Sequence, residues 1–181
     1  GDGHVWWNGP QKLLPWGNLP TRLWFKLRER AEAALPGPVY IALGPDNQHY
    51  VRYADGTVDH YSFHGELMRE LHERGRGGYV QSLAFAPGGG YFVLYSDGTY
   101  AAQGLPPGLQ AELWSQSAAR VEHINIGAHG EWFVRYADGR WRCGDHTGCQ
   151  SLAHTIGHLQ DRLYGIRRVT FGADCSWVVE F

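Results

Sequence analysis

GEWFVRYADGRW, residues 130–141, is the stretch that decides the fold. An aromatic and apolar run leads into Asp138-Gly139, and a second run begins at Arg140. An Asp-Gly pair between two such runs is a strong short-range signal for a β-hairpin. The stretch therefore predicts two antiparallel strands joined by a tight turn.

The same pattern recurs along the chain. It reads HYVRYADGTV at 49–58 and YFVLYSDGTY at 91–100. A fourth copy is divided between the chain ends, with WVVEF at 177–181 as its first half and GDGHV at 1–5 as its second. Successive Asp-Gly pairs are 42, 41 and, through the joined ends, 45 residues apart. A period near 40 residues indicates a repeat architecture.

Each repeat is predicted to hold three short strands followed by a helix. Leucines at helical spacing predict helices over 20–34 and over about 65–74, 105–119 and 152–164. We assign repeat one to 38–78, repeat two to 79–119, repeat three to 120–165, and repeat four to 166–181 together with 1–37. Because each chain end completes the other, we expect one domain over 1–181, mainly β with short helices and closed as a four-repeat toroid.

This pattern resembles the β-propeller fold, in which the last blade is built from both chain ends. The resemblance covers essentially the whole chain. The chain is loosely similar to the hemopexin-type and lectin-type propellers. It implies a four-bladed ring with a closing seam. The helix in place of a fourth strand departs from the family pattern. A toroid of three-stranded sheets with outer helices, or a β-barrel wrapped by helices, are the alternatives.

The composition and the absence of certain motifs argue against several classes of function. The formal net charge is -2, which gives no electrostatic footprint for nucleic acid. No apolar run is long enough to span a bilayer, so we expect no membrane partner. We also expect the protein to be a monomer. The start at Gly1 suggests a processed product. The sequence has neither a Gly-x-Ser-x-Gly elbow nor a phosphate-binding loop, which gives nucleophilic catalysis little support.

An aromatic ring occupies the first position of every predicted second strand. These positions are His49, Tyr91, Trp132 and Trp177. Aromatic side chains on a sheet either pack against neighbouring elements or present flat faces to a ligand such as a sugar. We therefore name these four residues as candidate ligand-binding platforms, with packing as the alternative.

Repeat three carries a group of possible metal ligands. They are Cys143, His146, Cys149, His154 and His158. The last two share a helix face at i, i+4 and, with the others, could bind zinc. Cys143 and Cys149 could instead form a disulfide, or the whole group could be an ordinary polar loop and helix face. Cys175 is left over, which favours a reducing, cytoplasmic compartment.

The sequence leaves three hypotheses about function. The preferred one is a non-catalytic binding module without a cofactor, whose partner is a small glycan or another protein. The alternative is a metal-dependent enzyme or zinc-binding protein that uses the Cys/His group of repeat three. The third is a purely structural propeller.

Overall fold

The computed structural model describes residues 19–61, 65–74, 78–116, 119–144, 151–160, 165–171 and 176–180. Contacts along the chain divide it into two compact units, 1–65 and 66–181. Within the described ranges, no helix combines the length and the apolar character that a bilayer crossing requires. The predicted repeat boundaries and the single domain stay predictions.

The first unit places one helix on one three-stranded sheet. Its elements are α1 (Thr21–Glu32), β1 (Pro38–Leu43), β2 (His49–Tyr53) and β3 (Val58–Tyr61). Leu23 and Leu27 lie one turn apart on α1 and are fully buried against Val51 and Tyr53 of β2. Arg30 fixes the end of the helix, because its guanidinium lies 3.8 Å from the centre of the Tyr53 ring.

The second unit continues the same order of helix and sheet. Its elements are α2 (Glu66–Arg74), β4 (Val80–Phe85), β5 (Tyr91–Tyr95), β6 (Tyr100–Gln103), α3 (Pro107–Ser115), β7 (Val121–Ile126), β8 (Trp132–Tyr136), β9 (Trp141–Gly144), α4 (Ser151–Gln160), β10 (Arg168–Phe171) and β11 (Trp177–Glu180). The strands form sheets in the orders β4-β5-β6, β7-β8-β9 and β10-β11, all antiparallel. A short 3-10 turn at Pro87–Gly89 joins β4 to β5.

The three-stranded sheets share one local geometry. The first strand of each has a register shift at the same place, between Pro38 and Tyr40, between Val80 and Ser82, and between Val121 and His123. The second and third strands are joined at the Asp-Gly pair, where Gly56, Gly98 and Gly139 have φ values of 81°, 85° and 84°. The sequence repeat is therefore a repeat of backbone geometry.

The aspartate of each turn holds the backbone of the return strand. Its carboxylate accepts a hydrogen bond from the N–H two residues on, at 2.9 Å for Asp55–Thr57, 2.8 Å for Asp97–Thr99 and 3.0 Å for Asp138–Arg140. Such bonds favour the charged carboxylate. The hydroxyl and N–H of Thr57 accordingly lower the pKa of Asp55 to about 2.

The central strand β8 contributes side chains to two cores. Trp132, Val134 and Tyr136 face one cluster, which contains Leu109 and Leu113 of α3. Phe133 points to the opposite face, into a second cluster with Leu152 and Ile156 of α4 and Val169 of β10. Because successive strand residues point to opposite faces, a strand buried on both sides reads as a continuous apolar and aromatic run.

The structure confirms a mainly β chain with short helices and small repeated sheets. The closed four-bladed β-propeller is wrong, because the four antiparallel sheets have two or three strands each instead of the four of a propeller blade, and no closed sheet or toroid occurs in the described part. The same finding contradicts the alternative prediction of a β-barrel wrapped by helices. Of the proposed seam between 177–181 and 1–5, residues 1–5 and 181 lie outside the described residues. A local repeat encodes contacts within each sheet, whereas ring closure depends on contacts between distant repeats.

Replacing Gly139 by alanine is expected to lower the free energy of unfolding by about 1–2 kcal/mol, the cost of left-handed backbone for a residue with a Cβ. Among the described atoms nothing lies within 4 Å of the added methyl group, so the effect comes from the backbone alone. Urea denaturation measures it. Gly157→Ala within α4 is the control: its methyl likewise meets no described atom within 4 Å, and it should stabilise the chain by up to about 1 kcal/mol. Equal destabilisation by the two substitutions would contradict the account.

Candidate ligand-binding site

The four predicted platform residues differ in exposure. His49, Tyr91 and Trp132 are buried, and Trp177 is half-buried against the core that contains Phe133. His49 stacks on Tyr61 with ring centres 5.8 Å apart. All four positions therefore contribute to packing. Whether any of them also binds a ligand stays a prediction, and the geometry is most favourable at Trp132.

The Trp132 indole lies between two glycines on different elements. A Cβ added to Gly144, its partner across β8 and β9, would lie 2.1 Å from Trp132 Nε1. A Cβ added to Gly108, near the start of α3, would lie 3.3 Å from the same atom. The indole fits because Gly144 has no side chain, and the missing side chain at Gly108 leaves room beside its N–H group. Its N–H group is consequently placed beside the first turn of α3.

An open cleft of about 510 Å³ lies at this point. Its lining residues are Pro87, Gly104, Leu105, Pro106, Pro107, Gly108, His129, Gly130, Trp132 and Gly144. The prolines, the leucine and the indole give it apolar walls, and the glycines bring the backbone to its surface. This combination of apolar walls and a few polar groups is typical of small-ligand sites.

The helix start adds polarity to the cleft. Pro106 is the N-cap of α3 and has no side-chain capping bond. The first backbone N–H groups of a helix have no partner within the helix and carry partial positive charge. Gly108 belongs to that first turn and lines the cleft. Together with the indole N–H, these groups can donate hydrogen bonds to the oxygen atoms of a ligand.

The turn before β8 contains a buried carboxylate. Glu131 is fully buried, and its Oε2 accepts a hydrogen bond from the N–H of His129 at 3.0 Å. The other oxygen, Oε1, has no hydrogen-bond partner among the described residues. The carboxylate occupies the space where a Cβ of Gly127 would stand, so it braces the turn that forms one side of the cleft.

The predicted metal ligands do not all come together. His146 and Cys149 lie outside the described residues. Cys143 is half-buried against the core that contains Leu152 and Ile156, the inward residues of α4. His154 and His158 are exposed on α4, and their Nε2 atoms are 3.0 Å apart. In the described part of the chain, no group of three or more histidine, cysteine or acidic side chains is arranged to hold a metal ion. The zinc prediction stays a prediction.

The first unit contains a polar group that the sequence reading missed. His49 Nε2, the Tyr53 hydroxyl and Asp59 Oδ2 are buried, and none finds a hydrogen-bond partner among the described residues. Burial and the nearby Asp59 charge raise the pKa of Tyr53 to about 12. The register pairs Asp59 with Val51, which puts it on the same sheet face as His49 and Tyr53. Alternation along β2 and β3 is the signal that could have identified this group.

A second open cleft lies at the other end of α3. It has a volume of about 430 Å³ and is lined by Ser115, Gln116, Ala119, Arg120, Ala137, Asp138 and Arg140. Arg140 is engaged there, donating to Asp138 at 2.6 Å and to Gln116 at 3.3 Å. These contacts fasten the Asp138-Gly139 turn to α3. The charged side chain of Arg140 therefore serves to hold the structure together.

Comparison of the chain with protein-family models, curated proteins and solved structures found no match. The resemblance to lectin-type and hemopexin-type propellers is thus corrected on two grounds: the described sheets have two or three strands without a closed ring, and no family model matches. The site is consequently interpreted from its own geometry.

His123 on β7 predicts a loss of stability in mild acid. Burial, and then the charge of Arg168, lower its pKa to about 4. Because this value lies below the usual 6.5, protonation favours the unfolded chain. The contribution of neutral His123 to the free energy of unfolding is complete above about pH 6.5 and is lost as the pH falls towards 4. The total loss is about 3 kcal/mol.

His123→Gln should therefore flatten the dependence of unfolding free energy on pH between 6.5 and 4. Urea denaturation at several pH values measures the slope. His72→Gln, at an exposed position of α2, is the matched control and should leave the slope unchanged. A slope that is the same in the wild type and in His123→Gln would refute the assignment.

Proposed function

We propose that this chain is a non-catalytic binding module and that its ligand, a small glycan, docks in the cleft at Trp132. The observation that carries the proposal is the position of the indole N–H, beside the first turn of α3 and within an apolar cleft of about 510 Å³. A cleft of that volume is in the range that holds a small molecule.

The lining supports binding rather than catalysis. Among the described lining residues there is no Asp, Glu, Lys, Ser, Thr or Cys, and His129 is the one titratable side chain. General acid–base catalysis needs groups that exchange protons, and covalent catalysis needs a nucleophile with an adjacent base. Apart from His129, the described lining consists of prolines, glycines, a leucine and an indole, which favours recognition.

A sugar ring fits the chemistry of these walls. Its C–H faces are apolar and can pack on Leu105, Pro106 and the indole edge, while its hydroxyl oxygens accept hydrogen bonds. Trp132 Nε1 and the amides of the first turn of α3 are the donors for those oxygens. The described lining contains no Asp, Glu, Lys or Arg, which suits a ligand of low charge.

Trp132→Phe should weaken glycan binding by about three- to tenfold, the value of one hydrogen bond, since phenylalanine retains an aromatic ring and lacks the N–H. Binding is first located on a glycan array and then quantified by calorimetry, with and without EDTA. Affinity that is unchanged in the variant would contradict the proposed donor. Loss of wild-type binding in EDTA would contradict a metal-independent cleft.

Gly108→Ala provides a test that preserves the core. The added methyl lies 3.3 Å from the indole nitrogen and narrows the cleft, while alanine favours the helix. We expect weaker glycan binding with an unchanged or higher melting temperature. Gly157→Ala on α4 adds the same methyl where no described atom lies within 4 Å, and it should bind as the wild type does. Failure of the folded wild type to bind any glycan would refute the function itself.

A further inference from the structure

Helix α4 presents two histidines to solvent in a geometry suited to one metal ion. His154 and His158 are exposed and four residues apart, so they lie one above the other on one face. Their Nε2 atoms are 3.0 Å apart, and the rings are nearly perpendicular at 87°. The two Nε2 atoms are therefore close enough to bind one metal ion.

We propose that His154 and His158 form a binding site for a divalent transition-metal ion such as Zn²⁺, Ni²⁺ or Cu²⁺, with water in the remaining coordination positions. Imidazole nitrogen suits these ions, whereas Mg²⁺ and Ca²⁺ prefer oxygen ligands. This site lies outside the Trp132 cleft and does not depend on glycan binding.

The distance between the nitrogens matches the coordination geometry. Two nitrogens about 2.0–2.1 Å from a tetrahedral ion are about 3.3 Å apart, and they are about 2.9 Å apart when the angle at the ion is a right angle. The 3.0 Å separation lies between these values. The distance between the nitrogens therefore needs to change little, while rotation of the rings brings both lone pairs onto the ion.

The proton between the two rings can move to another nitrogen of the same ring when an ion binds. When both imidazoles are neutral, one Nε2–H donates to the other Nε2, which acts as the acceptor. A metal ion takes the lone pairs of both Nε2 atoms. The donor ring then carries its proton on Nδ1 instead, so the protein binds the ion with no net change in its proton number.

The rest of the helix holds the pair in place. Leu152 and Ile156 are buried against the core, which fixes the opposite face of α4 towards solvent. His158 lies in the last turn, where the partial negative charge of a helix C-terminus favours a cation. Cys143 packs with the inward residues, so the site uses the two histidines alone from the described residues.

Calorimetric titration of the folded chain with Ni²⁺ tests the site. We expect one ion per chain and a loss of affinity of about tenfold or more in either His154→Ala or His158→Ala, since even an outer partner of a metal ligand is worth that much. His72→Ala, which removes an exposed histidine from α2, is the control and should retain the affinity. Circular dichroism verifies that each variant is folded.

Thermal melting gives a second readout. An ion that bridges two turns of the native helix should raise the melting temperature of the wild type and of His72→Ala, and EDTA should reverse the rise. Neither His154→Ala nor His158→Ala should respond. Wild-type affinity in both of these variants, or absence of Ni²⁺ binding by the wild type, would overturn the proposal.

Discussion

The Asp-Gly turn is the constraint on which the remaining structure depends. In each three-stranded sheet, an aspartate carboxylate accepts a hydrogen bond from the return strand, and the following glycine takes a left-handed backbone conformation. These two conditions fix the register between the second and third strands. Because a slip of one residue would turn every side chain to the other face, the turn also decides which aromatics are buried.

Burial on both faces of β8 links this turn to the candidate site. The turn register sends Phe133 to the α4 core and Trp132 to the α3 core. Trp132 is then packed between Gly108 and Gly144, with its N–H beside the start of α3. One residue thus contributes both to the core and to the wall of a cleft. The ligand-binding role proposed for this cleft uses a side chain that is already packed in the core, which limits the entropy lost on binding.

The sequence predicted the parts of the structure that depend on nearby residues. Asp138-Gly139 predicted its hairpin, and the leucine spacing predicted α1 and α3, although α3 ends at Ser115 rather than near residue 119. Ring closure could not be predicted, because a repeat of local geometry does not specify contacts between distant repeats. The pattern suggested a propeller, while the structure shows separate small sheets.

The candidate site was only partly predictable for the same reason. The aromatic character of position 132 is visible in the sequence, but the approach of Gly108 and Gly144 arises when α3 packs on the sheet. Spacing did predict that His154 and His158 share a helix face. It did not show that Cys143 lies with the inward residues of that helix, because this depends on the packing of α4.

A nitrogen–proton NMR titration of the folded chain with the best glycan from an array tests the central claim most directly. The indole N–H signal of Trp132 and the amide signal of Gly108 should shift together and saturate. Trp114, whose side chain is 78% exposed on α3, serves as an internal reference and should not move. Shifts confined to Trp114, or none at Trp132 while glycan binds, would contradict the account.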